Sequence, residues 1–199
     1  MAEVPPSAAE YSAADIRVLD LDAAVRKWPG MYFPVDRSPA GVLREVVDCA
    51  VHPPPRVAGS HTTEVVAEIT DAYGFSVTDG LAATLTDDGG PVLGYFGSLL
   101  TPDRLTAAAA AALSVRVTVE VWRGGRGFRQ ELAGLRPLGP PVPFEAPAGA
   151  GTRVRYLLDA DWFGPPGITA GLTARDLLGP CCGEEPGPGC VVLRDLRSA

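Results

Sequence analysis

The sequence has few of the features that would connect it to nucleic acid or to a membrane. Lys27 is the one lysine among 17 basic residues, and the formal net charge is −7 at pH 7. No run of basic residues forms a stripe that tracks phosphates, so we expect no direct contact with nucleic acid. Apolar runs stay below the about 20 residues that a membrane-spanning helix needs, and the N-terminus lacks the basic and apolar regions of a signal peptide. We therefore expect a cytoplasmic protein with no membrane partner.

Cysteine is scarce, and its spacing is poor for a metal site. The four cysteines lack the paired C-x-x-C pattern typical of structural zinc, and neither of the two histidines completes such a pair. The cysteines are Cys49, Cys181, Cys182 and Cys190. Free thiols in a reducing compartment are the favoured interpretation, and no metal site is expected.

The order of predicted helices and strands indicates a mixed fold. Apolar spacing and capping residues predict helices at 16–28, 38–52, 105–114 and 168–178. Alternating residues predict hairpins at 62–80 and 115–132 and two later strands at 152–158 and 190–196. Residues 135–151 form a proline-rich loop in this interpretation, and 1–15 a flexible arm. We expect an α+β fold with helices on one face of a mixed, largely antiparallel sheet, in a single domain over 16–199.

Two segments near the N-terminus carry a specific resemblance. ADIRVLDLDAAVRKWPGMY at 14–32, followed by LREVVDCAV at 43–51, resembles the start of the ATPase domain of DNA gyrase B and its relative topoisomerase IV. Later segments agree in the same order, so the resemblance covers most of residues 11–199. It implies the GHKL (Bergerat) fold, a two-layer α/β sandwich that holds a nucleotide between helices and sheet. The family's DNA-cleaving parts have no counterpart in 199 residues, so we expect no topoisomerase activity from this chain alone.

The resemblance assigns candidate site residues to the second helix. Glu45 matches the family's general base, a carboxylate that activates water for ATP hydrolysis. Cys49 stands where the family has the asparagine that holds magnesium, and a thiol suits that hard ion badly. Asp48 lies between them as a candidate ligand-binding residue, and His52 is expected either at the edge of the pocket or on the surface.

A second group of candidates lies on the predicted strands. Asp79 matches the aspartate that reads the adenine amino group, and Thr152 matches a threonine that assists it. An alternative register places Thr78 there, and a turn residue at the end of a hairpin is the structural alternative for Asp79. The family's glycine-rich phosphate cradle is replaced by SLLTPDRLTAAAAAALS at 98–114, in which Pro102 lacks an N–H and the lid is shortened.

These departures predict a scaffold that has lost efficient ATP hydrolysis. The favoured function is binding of a small molecule, either a nucleotide or a ligand of the gyrase pocket, without turnover. The alternative is a repurposed enzyme of cyclase or isomerase type, in which Glu45 and Asp79 act on a specialised metabolite. A partner-docking module is the third hypothesis. No cofactor is expected, with ATP and magnesium left open, and Tyr11, which matches the start of the family's dimerising arm, leaves a dimer open.

Overall fold

The computed structural model describes residues 19–53, 64–82, 84–178 and 191–197. The predicted flexible arm at 1–15 therefore lies outside the described residues. So do His61 and three of the four cysteines, Cys181, Cys182 and Cys190. No helix within the described ranges is long and apolar enough to cross a membrane.

In these ranges, eight strands form one open sheet. Their order across the sheet is β5-β4-β3-β7-β2-β1-β8, and β6 pairs with β4 beside β5. Every pairing is antiparallel except the one between β1 and β8, which is parallel. The strands are β1 Val65–Ile69, β2 Gly74–Asp79, β3 Ser114–Arg123, β4 Arg126–Ala133, β5 Arg136–Pro137, β6 Val142–Glu145, β7 Ala150–Leu158 and β8 Val191–Asp195.

The described part of the chain adds four α-helices to the sheet: α1 Leu21–Lys27, α2 Pro39–Val51, α3 Leu105–Ala112 and α4 Ala160–Phe163. Helix α2 begins as the sequence predicts, because the Ser38 hydroxyl accepts a hydrogen bond from the N–H of Gly41 at 3.1 Å. It ends at Val51, and His52 is the C-cap directly before the proline run. The mixed sheet with its packed helices confirms the predicted α+β class, while the single-domain boundary at 16–199 stays a prediction.

The core lies between the helices and one face of the sheet. In β3 the side chains of Val117, Val119 and Val121 point into it and are fully buried. Residues 107–112 of α3 are all alanine and all buried, so this helix packs closely against its neighbours. The alternate side chains of β3 lie on the other face, where Glu120 is buried beneath arginines 129, 153 and 155.

Two predictions about the C-terminal half are wrong. Residues 168–178 do not form a helix; they contain one 3₁₀ turn, Ala174–Leu177. Gly171 interrupts the segment with a φ of +89°, and the turn starts only after Thr173, whose side chain caps it reciprocally with Asp176. The proline-rich loop at 135–151 also contains strands β5 and β6, because β6 is an edge strand on which a proline is tolerated.

Candidate functional site

A cavity of about 280 Å³ opens between helix α2, the N-terminal turn of α3 and the inner face of the sheet. Most of its wall is apolar, with Val46 and Ala50 from α2 facing Val77 of β2 and Val154 of β7. The polar residues that line it are Cys49, His52, Asp79, Asp103, Arg104, Thr106 and Tyr156. Its position between helices and sheet is the position that the resemblance implies for a ligand.

Asp79 is the buried carboxylate of this cavity. It is the last residue of β2, and strand alternation points it inward beside Val77, leaving only 3% of its side chain exposed. Its neighbour Thr78 points to the opposite face, where its hydroxyl accepts a hydrogen bond from Arg153 Nε at 3.1 Å. The structure therefore places Asp79, and not Thr78, at the cavity.

Both oxygens of Asp79 are held by Arg104. Arg104 Nη1 donates to Oδ2 at 2.7 Å and Nη2 donates to Oδ1 at 2.9 Å, a bidentate pair. The N–H of Leu81 donates to Oδ1 at 2.9 Å, and Nη2 also reaches the carbonyl of Leu81 at 3.1 Å. Burial alone would lower the pKa of Arg104, but the charge and hydrogen bonds of Asp79 outweigh burial and raise that pKa.

Thr152 lies directly opposite Asp79 on the neighbouring strand β7. It is buried, and its hydroxyl donates to the Leu81 carbonyl at 2.5 Å. Thr152 is not among the residues that line the cavity. This hydrogen bond holds the turn after β2, and the N–H of Leu81 in that turn donates to Asp79. Thr152 thus helps to position Asp79.

Of the four candidate residues on or next to α2, two line the cavity and two do not. Cys49 lines the cavity, with its Sγ 3.1 Å from the Thr106 hydroxyl oxygen, and His52 lines it at the end of the helix. Glu45 and Asp48 do not line it. Asp48 instead contacts His52, whose Nδ1 lies 2.9 Å from the Asp48 carbonyl oxygen and 3.2 Å from its carboxylate. Partial burial raises the pKa of Glu45, and the nearby charge of Asp48 adds to that increase.

The residues of the cavity do not fit magnesium. The position at which the family has an oxygen ligand carries the thiol of Cys49, which instead contacts Thr106. Across the described ranges, no group of three or more histidine, cysteine, aspartate and glutamate side chains is placed to hold a metal ion. Asp79, the most buried carboxylate at the cavity, already binds a guanidinium.

Four polar cavity residues were not predicted: Asp103, Arg104, Thr106 and Tyr156. Arg104 belongs to the TPDR segment. The sequence of this segment indicates a turn, but it does not indicate that the Arg104 side chain contacts Asp79 at the end of β2. Tyr156 follows from alternation in β7, because Val154, Tyr156 and Leu158 share the buried face. Burial raises the pKa of the Tyr156 hydroxyl, and the opposing charge of Arg104 offsets part of that increase.

Two known proteins are similar to this chain. The chain is 35% identical over 181 aligned residues to the B-type subunit of DNA topoisomerase 4 from Caulobacter vibrioides, an alignment that covers 78% of this chain and 25% of that protein. Its fold is similar, with a TM-score of 0.56 and 16% identity, to the topoisomerase IV ATP-binding domain of Francisella tularensis in complex with a small-molecule inhibitor. This chain contains a gyrase B-like GHKL domain.

Both matches cover only part of the related proteins, and this limits which of their properties can be assigned to this chain. The gyrase B-like chain spans about a quarter of the length of the curated relative, and its structural match covers 73% of this chain and 43% of the other. No family model matches the sequence. The comparisons therefore establish the domain and its fold, and the activity of the relatives enters only as a proposal.

Proposed function

We propose that this gyrase B-like domain binds a small molecule in its cavity and does not hydrolyse ATP efficiently. The observation that carries the proposal is the bidentate contact between Arg104 and Asp79. In the family that the chain resembles, the matching aspartate reads the adenine amino group. Here that carboxylate is buried and bound by an internal cation, so it is not offered to a ligand as an acceptor.

The region expected to hold phosphates also departs from a working ATP site. Pro102 and Asp103 line the cavity just before α3, where the first lacks an N–H and the second carries a negative charge. A negative charge at this position repels a triphosphate. Cys49 replaces the oxygen ligand for magnesium, so the metal that would offset the phosphate charge has no suitable donor there.

The cavity itself suits a small molecule that is less charged than ATP. Its volume of about 280 Å³ lies near the lower end of the range of roughly 300–1,000 Å³ found for ligand sites. The wall is mainly apolar, and polar groups from α2, β2, β7 and the segment around the start of α3 reach it. This is the usual composition of a site that binds an apolar ring and orients it through one or two hydrogen bonds.

The alternative of a repurposed acid–base enzyme has less support. It assigned the chemistry to Glu45 and Asp79, yet Glu45 does not line the cavity and Asp79 is held by Arg104. A proton-transfer residue must reach the reacting group within hydrogen-bond distance. Conversion of a metabolite that is abolished by Glu45→Gln in a folded protein would restore this alternative.

Saturable binding at the cavity is the test of the proposal. Uniformly labelled protein would be titrated with a panel of heteroaromatic fragments while the methyl signals of Val46, Val77 and Val154 are followed by NMR. We expect concentration-dependent shifts at these three methyl-bearing residues. Val142, an exposed residue on edge strand β6, is the internal control and should not shift. A panel that leaves the three cavity valines unshifted at millimolar concentrations would refute binding.

A further inference from the structure

We infer that the cavity selects heteroaromatic ligands that carry a carbonyl acceptor over those that carry an amino donor, and that Arg104 is the residue that sets this preference. The inference rests on the proposed binding function and specifies its ligand class. It follows from which polar atoms in the wall of the cavity already have partners and which still offer a hydrogen bond.

The acceptor in this wall is already engaged. Asp79 accepts three hydrogen bonds, two from Arg104 and one from the N–H of Leu81. With 3% of its side chain exposed, its remaining lone pairs are not accessible to a ligand. An amino group that enters the cavity beside Asp79 therefore finds no accessible oxygen on that carboxylate, and burying the amino group there without an acceptor is unfavourable.

The donor beside it still has capacity. A guanidinium has five N–H groups, and Arg104 uses three N–H···O contacts, to Asp79 and the Leu81 carbonyl. Nη1 carries two hydrogens and makes one of these contacts within the described residues. Arg104 lines the cavity and its side chain is 13% exposed, whereas Asp79 is nearly covered. The group presented to a ligand is thus a cationic donor.

The rest of the wall favours a flat, uncharged body. Val46 of α2 lies on one side, and Val77 and Val154 of the sheet lie on the other. The positive charge of Arg104 is balanced by Asp79, so the site gains little from a full negative charge on the ligand. A carbonyl on an aromatic ring supplies the acceptor without the desolvation cost of a carboxylate.

Hypoxanthine and adenine form a matched pair of probes for this preference. The two purines share the fused ring skeleton, and hypoxanthine has a carbonyl beside a ring N–H where adenine has an amino group beside an unprotonated ring nitrogen. Titration of the whole chain with each base, followed by NMR at Val46, Val77 and Val154, measures both affinities at the same site. We expect hypoxanthine to bind at least about tenfold more tightly than adenine. Equal affinities, or tighter binding of adenine, would overturn the inference while leaving the proposed binding function intact.

Substitution of Arg104 adds a second readout. Arg104→Met keeps much of the side-chain volume and exposes Asp79, so the ratio of affinities should shift toward adenine by about tenfold or more. Arg116→Met is the matched control, because Arg116 lies on the outer face of the sheet with 66% of its side chain exposed. If Arg104→Met fails to fold, the comparison of the two bases on the native protein still decides. If neither base shifts the cavity signals while other fragments do, the preference for oxo-heteroaromatic ligands is wrong and the binding function stands.

Discussion

Asp79 and Arg104 are 25 residues apart in sequence and share two hydrogen bonds of 2.7 and 2.9 Å in the wall of the cavity. The contact joins the end of strand β2 to the turn that precedes helix α3. It therefore connects the sheet to the helical layer beside the cavity. The predictions below test this contact, the packing around it and the chemistry it leaves in the cavity.

Replacing either Asp79 or Arg104 alone should lower the free energy of unfolding considerably. Replacing both should lower it by less than the sum of the two single losses. Arg104→Met leaves a buried, uncompensated carboxylate, which typically lowers the free energy of unfolding by about 3–5 kcal/mol. Asp79→Leu leaves a buried guanidinium with a comparable cost. The double variant Asp79→Leu, Arg104→Met replaces the pair by apolar groups and should recover much of the loss. Urea unfolding of all four proteins gives the coupling energy, and strictly additive effects would contradict a direct interaction.

Helix α3 should not tolerate enlargement of its buried alanines. Ala109 is fully buried within a run in which every side chain from 107 to 112 is covered. Ala109→Leu would insert three extra carbons into a close-packed layer and should lower the free energy of unfolding by about 1–3 kcal/mol. Leu105→Ala on the same helix is the control, because Leu105 is 43% exposed and should change stability much less. Equal losses would mean that the helix is not held by close packing.

The pH dependence of stability should reflect the raised pKa of Glu45. Burial and the charge of Asp48 raise this pKa, so the native state holds the proton more tightly than the unfolded chain. Stability therefore falls as pH rises through the interval between the unfolded and native pKa values, and a constant penalty remains above it. Glu45→Gln removes the penalty. We expect the variant to be more stable than the native protein at pH 7 and equal to it below about pH 4.

Asp195 provides a comparison of opposite sign. A side-chain hydrogen bond from Arg197 lowers the pKa of Asp195 to about 2. The stability from this contact is present above the unfolded pKa and is lost as pH falls toward 2. Asp195→Asn should therefore be less stable than the native protein at pH 7, and the difference should close on acidification. If Glu45→Gln lowers stability at pH 7, as Asp195→Asn should, the assignment for Glu45 is wrong.

Much of the fold was predictable because its signals are local. The Ser38 cap, the hairpin at 62–80 and the alternation along β3 each depend on residues close in sequence, and all three match the structure. The helix predicted at 168–178 is wrong because the apolar spacing of this segment is helical. Its conformation depends instead on two single residues, Gly171 with its positive φ and Thr173 with its cap.

The site was predictable only in part, for a related reason. Asp79, Cys49 and His52 line the cavity. These three residues could be predicted because local sequence signals predict the strand or helix that carries each of them. Arg104 was missed because its role depends on Asp79, which lies 25 residues away in sequence. No pattern within TPDR predicts that contact. Glu45 shares a helix face with Cys49 in sequence, yet the structure leaves it off the cavity wall.

Under the proposed function, an oxygen ligand at position 49 alone should not give ATP hydrolysis. Cys49→Asn places an amide oxygen at the position where the resemblance implies a magnesium ligand. Asp79 would still be bound by Arg104, and Pro102 would still lack an N–H for phosphate. We expect no ATP turnover by Cys49→Asn above that of the native protein in a phosphate-release assay. A tenfold or greater gain would mean that the metal position alone limits the reaction.

Isothermal titration with a non-hydrolysable ATP analogue, with and without magnesium, tests the central claim most directly. The claim is that the cavity has changed from a magnesium–nucleotide site to a site for a smaller, less charged ligand. The expected result is no measurable binding, or weak binding that magnesium leaves unchanged. Tight binding that strengthens when magnesium is added would contradict the claim and would return the domain to the working ATPases that it resembles.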